Sequence, residues 1–394
     1  MHVPVAIIGA GPSGSLLAWI LRLHGIESLV LEARSREYVE SRIRAGVMEK
    51  NSVEILVKAG VGERLKNECM YHPGVTIGYK NQHYYLDFDK LIGCGVTVYG
   101  QQEVTKDLLG ALASENHNVL YEASCSSIED IESNRPKIKY THAGKDAELT
   151  ADFVIGCDGF HGPSRKAIPP EILKTHEMVY PFGWFGILAE APPSNDVALF
   201  SHHERGFALL SMRSPEVARL YFQCEPDEDA DQWSDEQIWD ELETRLYAPN
   251  WKLIRGNITQ KDVTPLRSFF SEPMHHGSLY LAGDASHIVP PTGAKGLNSA
   301  FADVSVLSAG MIDRFKKDDE TILNKYTEVA SRRNRQVQRF SWANTAMYHR
   351  FPGNDSFNNR MQEAQLEYLL SDETAQISYA QNHTGLPFEY WPEF

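Results

Sequence analysis

Three short segments have the residue types of loops that hold phosphate and sugar. They are Gly9-Ala10-Gly11-Pro12-Ser13-Gly14, Gly156-Cys157-Asp158-Gly159 and Gly283-Asp284-Ala285, and each follows an apolar, strand-like run. In the first loop Gly9 permits a tight turn, Gly11 lets a pyrophosphate approach the backbone, and Gly14 lets the next helix pack on its strand. Ser13 belongs to the same turn and is expected among the cofactor contacts. The helix that follows offers unpaired amides and a partial positive charge to phosphate. Glu32 lies eighteen residues after Gly14 at the end of Leu29-Val30-Leu31, where it can accept hydrogen bonds from a ribose diol. Asp158 and Asp284 each stand where a strand ends and a turn begins, the ligand side of such a sheet. Three separated loops of this kind predict one long dinucleotide.

The run from His287 to Asn298 narrows the chemistry. It contains Pro290, Pro291, Gly293, Lys295, Gly296, Leu297 and Asn298 and leads into a helix. A loop ending at a helix N-terminus stabilises negative charge on a reduced isoalloxazine ring. Prolines stiffen the approach, and glycines let a flat ring come close to the backbone. The dinucleotide expected here is therefore a flavin one.

The elements that must position these groups are readable in outline. Val5-Ala6-Ile7-Ile8 predicts a buried strand, Ser15 to Leu23 a helix, and Leu29 to Leu31 a second strand, together a βαβ unit. Val75-Thr76-Ile77 and Tyr84-Tyr85-Leu86 predict short antiparallel strands, and 181–223 is strand-rich with turns at 192–195 and 204–206. Residues 227–235 read as an acidic surface loop before a helix around 236–246. From Ser299 onward the pattern is mostly helical. The expected fold is α/β: a Rossmann-like FAD-binding domain (1–71, 98–180 and 266–298), an interleaved β-rich substrate domain (72–97 and 181–265), and a helical C-terminal region (299–394).

Composition removes several classes. The chain has 394 residues and a net charge of −15, which argues against binding nucleic acid through a basic surface. Five scattered cysteines with no Cys-x-x-Cys pair provide neither a disulfide framework nor a zinc site, so no metal is expected. There is no basic leader before the first strand and no apolar run long enough to cross a bilayer. A cytoplasmic protein without a membrane partner is the expectation.

Longer segments carry a more specific signal. Ser41-Arg42-Ile43-Arg44-Ala45-Gly46-Val47, Val98-Tyr99-Gly100-Gln101, Gly156–Gly162, Tyr180–Trp184, Arg205–Leu209, Pro265–Ser268 and Gly283–Asn298 together resemble the single-component flavoprotein aromatic hydroxylases. The resemblance spans essentially the whole chain. It implies FAD, reduction by NADPH or NADH, and insertion of oxygen from O2 into an aromatic ring. It further implies that Glu32, Arg44, Gln101 and Asp284 hold FAD, with Arg42, His161 and Arg267 near the nicotinamide nucleotide. Arg34, Arg36 and Tyr38 are candidates to meet a 2′-phosphate, so NADPH is favoured over NADH. Ser211, Arg213 and Tyr221 match the family's carboxylate clamp. An arginine gives a two-pronged charge-assisted contact, and Ser211 and Arg213 alternate along one strand and so share a face. Pro291 matches the residue whose carbonyl faces the carbon to be hydroxylated, and Arg219 a position that influences flavin placement. A small aromatic acid is the expected partner, and a homodimer is implied by resemblance.

The chain departs from the family where the para substituent is activated. The resemblance implies two tyrosines there, and the corresponding residues are Phe200 and His383, with His72 at the outer end of the relay and Asn344, Met347 and Tyr348 in the nearby wall. A neutral phenol has a pKa of about 10, so a hydroxybenzoate needs help to lose its proton. Phe200 cannot give it. A para amino group donates electrons without ionising, so 4-aminobenzoate stands as an alternative to 4-hydroxybenzoate. In a third reading, His383 contacts the para oxygen, an ordinary histidine pKa near 6.5 suiting it to base catalysis. A shifted hydroxyl pattern on the ring is a further possibility. A halogenase is excluded by the missing Trp-x-Trp-x-Ile-Pro signature. A flavin reductase that never captures oxygen and a sensor of aromatic acids remain open at this stage.

Overall fold

A computed structural model of the chain describes residues 1–42 and 46–394. The strand His2–Ile8 sits inside a mainly parallel sheet, between Lys145–Gly156 and Ser28–Leu31. Leu279–Leu281 extends one side and Val119–Leu120 the other, both parallel to their neighbours. The uniform apolarity of the first strand has a simple cause. Val5 and Ile7 face one core, shared with Leu16, Leu17, Phe301 and Leu307, whereas Val3, Ala6 and Ile8 face a second core on the other side. A strand covered on both faces needs no polar alternation. The helix Pro12–Leu23 starts three residues earlier than Ser15, because Pro12 takes the first helical position, where no backbone N–H is required. It packs against the long helix Gly296–Lys317.

The second sheet runs in the order His287–Ile288, Asn257–Glu272, Lys174–Glu190, Val217–Cys224, Ala208–Ser214, Leu199–His202, Gly74–Tyr79, Gln82–Asp87. Its two faces divide by residue parity. Ile77, Trp184, Phe200, Leu209 and Leu266 face the helices Tyr326–Tyr348 and Glu373–Thr384. Phe185, Ile187, Leu199, Leu210, Leu220 and Phe222 face Ile238, Trp239 and Leu242 of the helix Asp235–Arg245. That helix starts with a reciprocal Ser234–Gln237 capping box.

The boundaries read from sequence at 180/181 and 265/266 fall inside strands, because Lys174–Glu190 and Asn257–Glu272 pair along nearly their whole lengths. The boundary at 298/299 falls inside the helix Gly296–Lys317, whose Phe301, Val304 and Leu307 share the core of the first helix. Among the described residues no helix is long and apolar enough to cross a membrane, and no cluster of three or more potential metal ligands occurs.

Candidate active site

The three glycine-bearing loops interlock. Gly9 has φ +103°, and a side chain there would lie 2.4 Å from the Cys157 carbonyl oxygen. A side chain at Gly14 would lie 2.0 Å from the Gly9 carbonyl oxygen. Gly283 faces the Ser13 hydroxyl and Ala300, closing the third loop on the first helix. By contrast, a Cβ at Gly11 or Gly296 would meet no heavy atom within 4 Å. Both residues open helices that lack a side-chain cap, and so does Gly100 before Gln101–Ser114. Open space beside uncapped helix N-termini is what phosphate and a ring carbonyl require. The Glu32 carboxylate accepts N–H groups from Ala10 at 2.7 Å and Arg34 at 2.8 Å, which fixes its direction and leaves lone pairs for a ribose diol. These residues fit a flavin dinucleotide.

Several expected cofactor contacts are placed differently by their side chains. Lys295 is fully buried, donating to Glu49 Oε1 at 2.6 Å and to the His383 carbonyl at 2.8 Å. Asn298 accepts from the Glu49 N–H and donates to the carbonyls of Val47 and Ala294. The side chains of both staple the 47–49 segment to the helix start. What faces the open space is backbone, at Gly296. Asp158 accepts the Ser164 N–H at 2.9 Å and has its other oxygen buried without a partner, so burial raises its carboxyl. Gln101 is the first residue of its helix, and Asp284 is exposed on the third loop. Arg44 lies outside the described residues.

A buried pair absent from the sequence reading supports this region. Asp303 Oδ2 accepts from the Gly283 N–H at 2.9 Å and from His287 Nε2 at 2.7 Å. Burial alone would push the His287 imidazole down, but the adjacent Asp303 carboxylate holds it above its ordinary value. A histidine raised on folding contributes stability that is complete below its unfolded pKa of about 6.5 and is lost as pH rises through the raised value. Asp303→Asn is expected to cost roughly 1–3 kcal/mol and to flatten that pH dependence, as read by urea unfolding at pH 6 and pH 9. Equal slopes for both proteins would remove the pair from this account.

Of the residues expected near the nicotinamide nucleotide, Arg267 lies 4.7 Å over the Phe160 ring and pairs with Glu177 at 3.0 Å. His161 is exposed with its ring edge-on to Phe160, and Arg42 is exposed at the end of the helix Arg36–Ser41. Arg34 lies over the Tyr38 ring at 5.3 Å.

The second sheet supplies a charged end and an aromatic end on one face. Direct pairing puts Phe200, Leu209 and Tyr221 in one row across three strands. Leu209 and Ser211 share that face by alternation, as do Arg219 and Tyr221. The alternation expected to carry on to Arg213 is broken by a register shift between Met212 and Ser214, and Arg213 is tied to this face by its electrostatic neighbours Arg219 and Tyr221 instead. Ser211 Oγ donates to the Arg219 carbonyl at 3.1 Å, and Arg219 lies 5.0 Å over the Tyr221 ring. Arg213 is partly buried with no carboxylate partner among the described residues, and its Nε is buried without an acceptor. Desolvation, then the neighbouring Arg219 charge, lowers its guanidinium to about 10. A partly buried cation left unpaired in this way suits an anionic ligand.

At the aromatic end Phe200 meets the Tyr348 ring at 5.7 Å and the His383 ring edge-on at 6.0 Å. The Tyr348 hydroxyl is 3.1 Å from the Tyr379 hydroxyl, and Tyr379 stacks on His383 one helical turn later. His383 Nδ1 has no partner, and burial with the Lys295 charge lowers its imidazole to about 3. It is a neutral hydrogen-bonding group at physiological pH, which removes the ordinary pKa that the base reading assumed. His72 is also buried and lowered by that burial to about 4. Pro291 begins a 3-10 turn whose Thr292 Oγ1 accepts from Thr345 Oγ1 at 3.0 Å. Tyr379 was missed in the sequence, although its four-residue spacing from His383 on a helical segment placed both on one face.

A fold with loops that fit a flavin dinucleotide and a sheet face bearing an arginine without a carboxylate partner defines a class, and the comparisons agree. Residues 2–341 match the FAD binding domain family, and the chain belongs to it. Over 391 residues the sequence is 44% identical to the p-hydroxybenzoate hydroxylase of Acinetobacter baylyi, covering 99% of this chain and 96% of that one. The p-nitrophenol 4-monooxygenase of Pseudomonas putida DLL-E4 has the same fold, with a TM-score of 0.81, 18% identity, and coverage of 98% and 99% of the two chains. A complex of aklavinone-11 hydroxylase with FAD and aklavinone aligns with a TM-score of 0.73 and 18% identity, covering 88% of this chain and 69% of that one. The chain is a flavin-dependent aromatic monooxygenase that uses FAD.

Proposed function

We propose that this enzyme hydroxylates a para-substituted benzoate beside its para substituent, with 4-hydroxybenzoate as the first substrate to test, consuming NADPH and O2. The unpaired Arg213 beside Arg219 and Tyr221, on the strands whose Leu209 and Tyr221 align with Phe200, carries this reading. Similarity to the p-hydroxybenzoate hydroxylase of A. baylyi supports it. Bound FAD would accept hydride and activate oxygen. The chain's own residues do the rest. Arg213, Ser211 and Tyr221 bind the carboxylate, Leu209 and Phe200 seat the ring, and Pro291 directs its carbonyl at the reacting edge. Gly9, Gly11, Ser13, Gly14, Glu32, Gln101, Asp158 and Asp284 would hold the dinucleotide, with backbone amides at Gly296 and Leu297 against the ring. His161, Arg42 and Arg267 would receive NADPH, and Arg34 with Tyr38 its 2′-phosphate. The two sheets and their helices act as a discontinuous FAD-binding unit and a substrate unit.

A second reading, 4-aminobenzoate, is favoured by one observation: the aromatic end has no hydroxyl at Phe200 and no group that titrates near neutrality at His383. The test is anaerobic reduction of bound flavin by NADPH with and without each acid, followed by product analysis in air. Acceleration by at least one para-substituted benzoate, with its ring hydroxylated, is expected. If no such acid accelerates reduction, the reading fails.

We also propose a cytoplasmic homodimer. Phe357, Met361 and Tyr368 project from the helix Ser356–Ser371, with Trp342 exposed on Tyr326–Tyr348, and Phe357 is 67% exposed. Apolar side chains on so open a helix suit a second copy. Phe357→Asp combined with Met361→Asp is expected to shift the sedimenting species from dimer to monomer. An unchanged species would reject this surface.

A further inference from the structure

The polar groups around Phe200 outnumber their partners. Two hydroxyls joined by one hydrogen bond still hold one O–H and several lone pairs to satisfy, and this is the state of Tyr348 and Tyr379. Asn344, one turn before Tyr348 on the same helix and 3% exposed, turns its buried amide toward the Tyr379 hydroxyl without completing a well-formed hydrogen bond. His383 Nδ1 is the third such group in the same cluster. Leaving a buried polar group unpaired costs about 1–3 kcal/mol each, and closely packed cores rarely tolerate several together.

Their position relative to the clamp gives them a use. Phe200 lies two strands from Tyr221, roughly 10 Å across the sheet. An aromatic acid held at its carboxylate by Arg213 and Tyr221 therefore directs its far end toward Phe200. Tyr348 stacks on Phe200, with its hydroxyl turned to Tyr379 rather than to water. The cluster contains no free charge, since the Lys295 ammonium is bound by Glu49 and the His383 carbonyl.

We propose that recognition of the para substituent has moved from position 200 to the Tyr348–Tyr379 hydroxyl pair, with the Asn344 amide as the donor beside it. The pair both donates and accepts, so it suits a neutral hydroxyl or amino group and disfavours a methyl group. This rests on the benzoate reading above. In it Tyr379 and Asn344 are specificity-determining residues, and Tyr348 positions Tyr379.

The test uses the FAD-loaded enzyme and the Tyr348→Phe and Tyr379→Phe variants. Dissociation constants for 4-hydroxybenzoate, 4-aminobenzoate and 4-methylbenzoate are measured from the change in flavin absorbance on binding. Each variant is expected to bind the two polar acids about tenfold more weakly, the worth of one hydrogen bond, with 4-methylbenzoate changed less than about twofold. Retained 4-methylbenzoate binding also shows that the variant is folded. Equal weakening for all three acids, or none, overturns the proposal. If the unmodified enzyme binds none of the three, the benzoate reading itself fails, and that outcome is distinct.

Discussion

Arg213→Met is expected to abolish acid-stimulated reduction of the flavin while raising the melting temperature of the acid-free protein. The two effects have one cause. Arg213 is partly buried with an unpaired Nε and has Arg219 as its charged neighbour, so without acid the protein carries an uncompensated cation there. A methionine of similar length removes that burden and keeps most of the packing. With acid bound, the same guanidinium is a charge-assisted, two-pronged partner. Truncating one side of such a buried pair costs about 2–5 kcal/mol, or roughly 30-fold to several thousand-fold in affinity. The paired measurement is a thermal melt without acid and a titration of the reduction rate with acid. A variant that is less stable and still stimulated would show that Arg213 serves the fold rather than the ligand.

The glycines of the first loop should separate into two groups. Gly14→Ala places a methyl 2.0 Å from the Gly9 carbonyl oxygen, and Gly9→Ala both meets Cys157 and requires φ +103°. Each is expected to yield protein that is unstable and fails to retain FAD, at a cost of more than about 3 kcal/mol. Gly11→Ala meets nothing within 4 Å in the protein itself. It should melt like the unmodified apoprotein yet lose FAD affinity at least about tenfold, because the methyl occupies the approach to the helix N-terminus. FAD retained through gel filtration and the apoprotein melt together read out both groups. Unaltered FAD affinity in Gly11→Ala would mean that the pyrophosphate does not come close at that residue.

What the sequence showed well is what local chemistry dictates. The strand at 5–8 and the glycine turns each follow from a few neighbouring residues, whereas the alternation read from Ser211 to Arg213 is interrupted by a register shift that no local pattern announces. Lys295 and Asn298 misled because their partners are remote: Glu49 lies 246 residues from Lys295, and no pattern near either residue announces the pair. The Tyr348–Tyr379 contact escaped for the same reason, being made between two helices rather than along one. His383 was legible in type but not in charge. Its neutrality comes from complete burial beside Lys295, a property of packing rather than spacing. The domain boundaries were placed where the sequence changes character, and strands run through those places.

Those strands have a mechanical consequence. Lys174–Glu190 spans seventeen residues and pairs antiparallel with Asn257–Glu272 for almost its full length, continuing on both sides of the register shift between Val179 and Gly183. At one end the ribbon pairs Phe269 with Ile288, beside the third flavin loop, and farther along it brings Gly186 against Tyr221. Seventeen residues make a beam roughly 55 Å long. Among the described residues this beam joins the Ile288 end to the Tyr221 end by continuous pairing rather than by a flexible tether. Under the proposed benzoate reading, entry of the acid and exit of the product are expected to proceed through loops and side chains working around a rigid chassis.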